Sequence, residues 1–266
     1  MISAAAPAKI NLALVVGPKR PDGLHEVATL LQRIDLADTV SLEHAAALSV
    51  EGFEGDTLVG HALVAIAAAA GVEPRWRARI EKRVPVAAGL GGGSSDAATA
   101  LRLACGLLAD PPSTERLLEI SASLGVDVPF FLAEGPQLAT GTGTALQPVE
   151  LPQDYTVLLL LPKDVRKPST AEIYGRFGGA AGFAERRARV LDAVAAGRNA
   201  DLSNLPPNDL AGSPLSARLL ELGAFRADVS GAGPIVYGLF ARRGDAERAA
   251  AAVERLGDSW LATPAW

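Results

Sequence analysis

The chain holds one cysteine, Cys105. That excludes an intrachain disulfide framework and any multi-cysteine metal cluster. The residue falls on the apolar face of a helix-patterned segment, where a lone thiol packs as a small hydrophobe. Histidine is scarce too. His25, His44 and His61 are the only three, and they show neither metal-ligand spacing nor the spacing of a Ser/His/Asp triad. Basic charge is not in excess: the net charge is −5, so no overall basic field recruits nucleic acid or an anionic membrane. The longest apolar run, Ala62 to Val72, is well short of the roughly 20 residues that span a bilayer. No basic segment precedes an apolar one at the N-terminus, so no secretory signal is read there. These absences together lead us to expect a cytoplasmic globular protein.

What the chain does have is a glycine loop. The segment Pro85-Val86-Ala87-Ala88-Gly89-Leu90-Gly91-Gly92-Gly93-Ser94-Ser95 runs directly into the alanine-rich stretch from Asp96. Glycine places little steric limit on φ, so such a run can fold its amides around an anion. The following helix adds free N–H groups and the positive end of its dipole. A phosphate cradle is the expected result, against the plainer reading of a surface turn. The loop departs from two familiar patterns. No Gly-Lys-Ser/Thr closes it as in a Walker A loop. Ser94 stands where the third glycine of a dinucleotide fingerprint would fall.

Ala8 to Gly17 reads as a strand with Lys9 and Asn11 on one face, followed by a turn at Pro18 to Gly23. Periodicity leaves His25 to Asp35 open between strand and short helix. Leu58 to Ala70 has helical spacing with Gly71 as its cap. Trp76, Ala78 and Ile80 alternate with Arg75, Arg77 and Arg79, the pattern of a half-exposed strand whose arginine face is solvated. Helices are expected over Ser94–Ala109, Ser113–Leu124, Phe183–Ala196, Ser216–Leu222 and Asp245–Leu256. Tyr155 to Leu161 is a continuous apolar strand, expected at the centre of a sheet. Thr140 to Thr144 is a hairpin connection. A second glycine turn, Ser230-Gly231-Ala232-Gly233-Pro234, lies between two strand-like pieces. Strands and helices mix throughout, so the fold class is α+β, with a domain boundary that divides residues 1–152 from 153–266.

Phosphoryl transfer needs an anion cradle, a cation near the transferred group, and a residue that orients or deprotonates the nucleophile. Lys9, at the start of an apolar strand, is the candidate cation. Asp127, alone among Val126, Val128, Pro129, Phe130 and Phe131, is the candidate carboxylate, because a charge in an apolar run is costly unless paired or functional. The plainer readings are a solvated lysine and a carboxylate that satisfies helix amides. Asp127 would accept a proton from, or orient, a substrate hydroxyl. Lys9 would stabilise charge on the phosphoryl group.

Five patterns, Pro7-Ala8-Lys9-Ile10-Asn11-Leu12, Asp22-Gly23-Leu24-His25-Glu26, Pro85 to Ala98, Leu124 to Phe131, and Ser230 to Pro234, resemble the GHMP kinase superfamily over nearly the whole chain. The first two narrow the resemblance to the branch that acts on a cytidyl-diphosphate-linked methylerythritol. The resemblance implies an N-terminal domain like the second domain of ribosomal protein S5 and a ferredoxin-like C-terminal domain. It implies that ATP, with Mg²⁺, phosphorylates the 2-hydroxyl of the substrate, and that the enzyme is a monomer or homodimer. Lys9 and Asp127 match the catalytic pair. Pro85, Val86, Ala87, Ala88, Gly89, Leu90, Gly91, Gly92, Gly93, Ser94 and Ser95 match the ATP loop, and Lys82 a nucleotide-side lysine. Asn11, His25, Thr170 and Tyr174 match substrate positions, with His25 on cytosine and Tyr174 stacked against it. Three positions depart from the pattern. Leu24 replaces a common tyrosine, Leu31 a larger Phe or Met, and Thr144 a common glutamate. Leu24 offers only an apolar contact, which lowers the expected affinity for the cytidine unit. Two alternatives stand beside this reading: a kinase of the same superfamily acting on mevalonate-like or homoserine-like alcohols, and a silent nucleotide-binding module.

Overall fold

The computed structural model describes residues 1–54, 58–163, 165 and 170–266; the side chains of Thr170 and Ala171 lie outside that description. Its strands and helices in chain order begin with β1 (Ile2–Lys19), β2 (His25–His44), β3 (Ser49–Glu51), α1 (Leu58–Ala69), β4 (Trp76–Glu81), α2 (Gly92–Leu107), α3 (Thr114–Leu124) and α4 (Val128–Leu132). They continue with β5 (Gln137–Gly141), β6 (Ala145–Pro148), β7 (Thr156–Pro162), α5 (Thr170–Arg176), α6 (Phe183–Ala196), α7 (Pro214–Glu221), β8 (Arg226–Val229), β9 (Val236–Phe240), α8 (Arg243–Val253), β10 (Gly257–Ala262) and β11 (Pro264–Ala265). The chain divides into two compact units that interleave in sequence. One comprises Met1–Ala8, Ala37–Val86 and Gly91–Glu134; the other comprises Lys9–Leu36, Ala87–Leu90 and Gly135–Trp266.

In the first unit, the C-terminal half of β2 pairs antiparallel with β4, and β3 pairs parallel with β4. Trp76, Ala78 and Ile80 are buried, while Arg77 and Arg79 are exposed and pair with Glu43 and Glu81. The arginine row is therefore the solvated face that its alternation implies. Helix α1 packs on α2 and α3, and α2 packs on α4. Ala62 and Ala67 of α1 and Ala97, Ala100 and Ala104 of α2 are all buried. Such small side chains let helices approach closely while still removing apolar area from water.

In the second unit, the N-terminal half of β2 pairs with β5, and β5 turns back into β6 as the expected hairpin, with Gly141 and Gly143 at positive φ. A separate four-stranded sheet runs β10-β7-β9-β8, all antiparallel. Strand β7 is central and its Val157 to Leu160 are fully buried. Leu158, Leu160, Val236 and Phe240 pack with Leu219 of α7 and Ala246, Ala249 and Val253 of α8.

One segment that the sequence reading left open, and one that differs from it, have clear causes. His25 to Asp35 is strand; its polar Thr29, Gln32 and Arg33 are buried along with its aliphatic residues, so no alternation marks it. The last helix ends at Val253, and the strand β10 starts at Gly257, opposite Pro162 of β7. Antiparallel pairing with a distant strand, rather than local propensity, decides that segment.

Candidate active site

Residues Ala87 to Leu90 of the glycine loop are held by the second glycine turn and by the start of the lysine strand. Three successive loop carbonyls accept hydrogen bonds from the protein. Ala88 O receives the Ile235 N–H at 3.2 Å and Leu90 O receives the Lys9 N–H at 2.9 Å. Gly89 O receives the Ser230 hydroxyl at 2.9 Å. Peptide planarity then turns the N–H groups of Gly89, Leu90 and Gly91 away from that packing. Gly89 has φ +88°, and a Cβ there would collide with the Ser230 carbonyl oxygen. Only glycine fits. Ala87 also has positive φ, +54°, a strained position for a residue with a side chain.

The loop ends at Gly91, which caps α2 in the left-handed region without a side-chain hydrogen bond, and the first turn of α2 carries no acid. No side chain caps the amides at the head of this helix. Ser95 is fully buried, and its hydroxyl has no hydrogen-bond partner among the described residues. Lys82, at the end of β4, forms ion pairs with Asp38 and Asp96.

Lys9 and Asn11 do share a face of β1, as their alternation implies. Lys9 Nζ donates to Asn11 Oδ1 at 2.6 Å, Asn11 Nδ2 donates to Thr29 Oγ1 at 2.9 Å, and Thr29 Oγ1 donates to the Ala13 carbonyl at 2.7 Å. All three side chains are buried. Such a chain of fixed donors orients the lysine and limits its loss of freedom on ligand binding. Gly231 comes close to this group: a Cβ there would lie 3.4 Å from both Lys9 Nζ and Asn11 Oδ1. Asn208 holds that turn by donating to the Gly231 carbonyl at 2.6 Å.

Asp127 belongs to the other compact unit. It is the N-cap residue of α4, with Pro129 in the first turn, but its side chain makes no capping hydrogen bond.

The cluster around His25 is built differently. The turn before it is tied by Arg20 N–H to Leu24 O at 2.7 Å and by Leu24 N–H to Asp22 Oδ1 at 3.0 Å. His25 Nδ1 lies 2.9 Å from the Gly17 carbonyl oxygen. A carbonyl only accepts, so Nδ1 carries a proton there, and Nε2 is the ring nitrogen left to face a ligand. The Tyr174 ring lies 6.0 Å from the His25 ring, and Phe177 sits edge-on at 5.6 Å. Tyr174, in the last turn of α5, and Phe177, just past its end, both pack on Leu14, Val16 and Val27. The sequence reading missed Phe177; its spacing from Tyr174 was the available signal. Leu24 is 54% exposed. Thr170 opens α5, and its side chain lies outside the described residues.

The family pattern for the GHMP kinases N terminal domain matches residues 57–135, and that for the GHMP kinases C terminal domain matches residues 215–259. The 4-diphosphocytidyl-2-C-methyl-D-erythritol kinase of Pelotomaculum thermopropionicum is 37% identical over 99% of this chain and 97% of its own length. This chain belongs to that family of GHMP kinases. The enzyme of the same name from Geobacter metallireducens is 36% identical over 95% of this chain and 94% of its own. A crystal structure of 4-(cytidine 5'-diphospho)-2C-methyl-D-erythritol kinase aligns over 100% of both chains with a TM-score of 0.83 and 31% identity. Homoserine kinase from Cytophaga hutchinsonii shares the fold, with a TM-score of 0.75 at 16% identity over 99% of this chain and 94% of its own. The α+β, two-domain GHMP kinase fold is thus the fold of this chain, and a GHMP kinase uses ATP. Among the described residues no helix is long and apolar enough to cross a membrane.

Proposed function

We propose that this chain transfers the γ-phosphoryl group of ATP to the 2-hydroxyl of 4-diphosphocytidyl-2-C-methyl-D-erythritol, a step of the non-mevalonate route to isoprenoid precursors. The observation that carries the choice of acceptor is His25, held as an Nδ1–H imidazole among aromatic rings. Its Nε2 acceptor complements the exocyclic amino group of cytosine, whereas uracil presents a carbonyl oxygen at the same position. The relatives named for this substrate agree with that reading.

In the proposed reaction, Asp127 orients the 2-hydroxyl and accepts its proton as the oxygen attacks the γ-phosphorus. The new bond joins that oxygen to phosphorus; the bond to the β-phosphate oxygen breaks, and ADP leaves. Lys9 stabilises charge on the transferring group, and the amides of Gly89 to Gly93 with the head of α2 hold the nucleotide phosphates. Pro85, Val86, Ala87 and Ala88 shape the loop, and Ser94 continues it into α2. Asn11 holds Lys9 and borders the substrate; Tyr174 stacks on the base, with Thr170 in the same segment.

The residues suit a magnesium nucleotide. A hydroxyl is the kind of hard oxygen ligand that Mg²⁺ takes alongside nucleotide phosphates, and Ser95 Oγ is a buried one with no partner among the described residues. When bound, the ion neutralises phosphate charge. We take residues 1–152 as the domain that carries the loop and the catalytic pair, and 153–266 as the domain that contains the β10-β7-β9-β8 sheet. We also place the enzyme in the cytoplasm, with a small-molecule substrate, no nucleic-acid or membrane partner, and a monomeric or homodimeric state.

The test is ADP release with ATP and Mg²⁺ over a panel of alcohols. The cytidyl-linked methylerythritol should be turned over, with mevalonate and homoserine unreactive. Turnover of either alternative in its place would overturn the assignment.

A further inference from the structure

The ammonium of Lys82 lies 2.5 Å from Asp38 Oδ2 and 2.7 Å from Asp96 Oδ2. Both carboxylates are fully buried, and the lysine side chain is only 15% exposed. The second oxygen of Asp38 accepts the N–H of Arg83 at 2.5 Å and of Val84 at 2.8 Å. Those two residues immediately precede Pro85, where the nucleotide loop starts. Asp96 stands in the second turn of α2, the helix into which the loop runs. The two ends of the loop come close here: a Cβ on Gly92 would lie 3.1 Å from Val84 Cγ1 and 3.4 Å from Lys82 Nζ.

We propose that Asp38 is a positioning residue for nucleotide binding, which acts through Lys82 to tie the entry of the phosphate loop to the helix that leaves it. The inference rests on the ATP reading of that loop. Two buried anions around one cation are costly to assemble, and removing one member of a buried set is worse than never building it. The arrangement therefore has a function to which its geometry points. The loop's two anchor points are fixed before the nucleotide arrives, so its amides need no reorganisation to meet the phosphates. Lys82 acts here as a clamp. Burial draws its ammonium down, but the hydrogen bonds to Asp38 and Asp96 outweigh that and hold its pKa above the ordinary lysine value.

Calorimetric binding of a non-hydrolysable ATP analogue with Mg²⁺ tests this in the wild type, Asp38→Asn, Lys82→Met and the double variant. Asparagine keeps an acceptor for Arg83 and Val84 but loses the charge that holds Lys82. We expect Asp38→Asn to weaken nucleotide binding by about tenfold or more, with the kinetic loss falling on the ATP KM rather than kcat. The double variant should bind within about twofold of Lys82→Met, because the two residues act as one unit. Wild-type affinity in Asp38→Asn, or multiplicative losses in the double variant, would overturn the proposal. If the variants do not fold, amide exchange on the unaltered protein decides. The Arg83 and Val84 amides should already be protected without nucleotide; protection that arises only on nucleotide binding would overturn it. Because these readouts are nucleotide binding and exchange, a wrong acceptor assignment would leave them unaffected.

Discussion

On the proposed reading the glycine loop and the cluster around His25 serve different halves of the reaction, and they are built from different materials. The loop is a backbone device. Its Ala88, Gly89 and Leu90 carbonyls are tied down by Ile235, Ser230 and Lys9, and side chains matter mostly where they are missing. The His25 cluster is a side-chain device, with one imidazole held by a carbonyl and two aromatic rings packed beside it. A backbone device tolerates almost no substitution at its glycines but is indifferent to which base the substrate carries. A side-chain device is tunable residue by residue. Damage to one should leave the other intact.

The largest expected effect bears on neither device but on the chemistry between them. Asp127→Ala should lower kcat by about 10³- to 10⁴-fold with little change in nucleotide affinity, read by steady-state kinetics at saturating ATP. Retained kcat would remove the residue from the mechanism. Next comes Gly89→Ala, which puts a side chain at φ +88° against the Ser230 carbonyl. Calorimetry should give an ATP affinity about 100-fold or more below wild type, an effect expected of strain at a positive-φ position, while a cytidine nucleotide still binds. Parallel loss of both ligands would break the separation. A uridine-linked analogue of the substrate should lose about 10²-fold in kcat/KM, because the Nε2 acceptor of His25 would face a carbonyl; equal turnover would remove His25 from base reading. The smallest effect should come from Leu24→Tyr. An added ring at the exposed Leu24 position should lower the KM for the cytidyl substrate a few-fold, since stacking on a base is worth about 1–3 kcal/mol at best. An unchanged or raised KM would show that Tyr174 and Phe177 already satisfy the base.

How much of this was legible in the sequence follows the same division. The run of the glycine loop into α2 was, because glycine clusters and helix starts are local signals. So were the half-exposed β4 and the apolar β7, whose burial patterns match their residue patterns. The first half of β2, His25 to Asp35, was not, because polar and apolar residues are buried together along it and no period survives there. Nor were the contacts that hold the site in place. Asp38 meets Lys82 across 44 positions, and Ser230 reaches Gly89 across 141. No spacing rule covers such separations; they follow from strand pairing and chain reversal. Phe177 sits between the two cases: its place three residues after Tyr174 is a local signal, but its meaning depends on His25 being nearby.

The most direct measurement is the identity of the phosphorylated product. Incubation of the enzyme with ATP, Mg²⁺ and 4-diphosphocytidyl-2-C-methyl-D-erythritol, followed by phosphorus NMR and mass analysis, should give ADP and one new phosphate monoester on the 2-hydroxyl of the methylerythritol unit. ADP formed without that ester, or a phosphate on a different hydroxyl, would contradict the account.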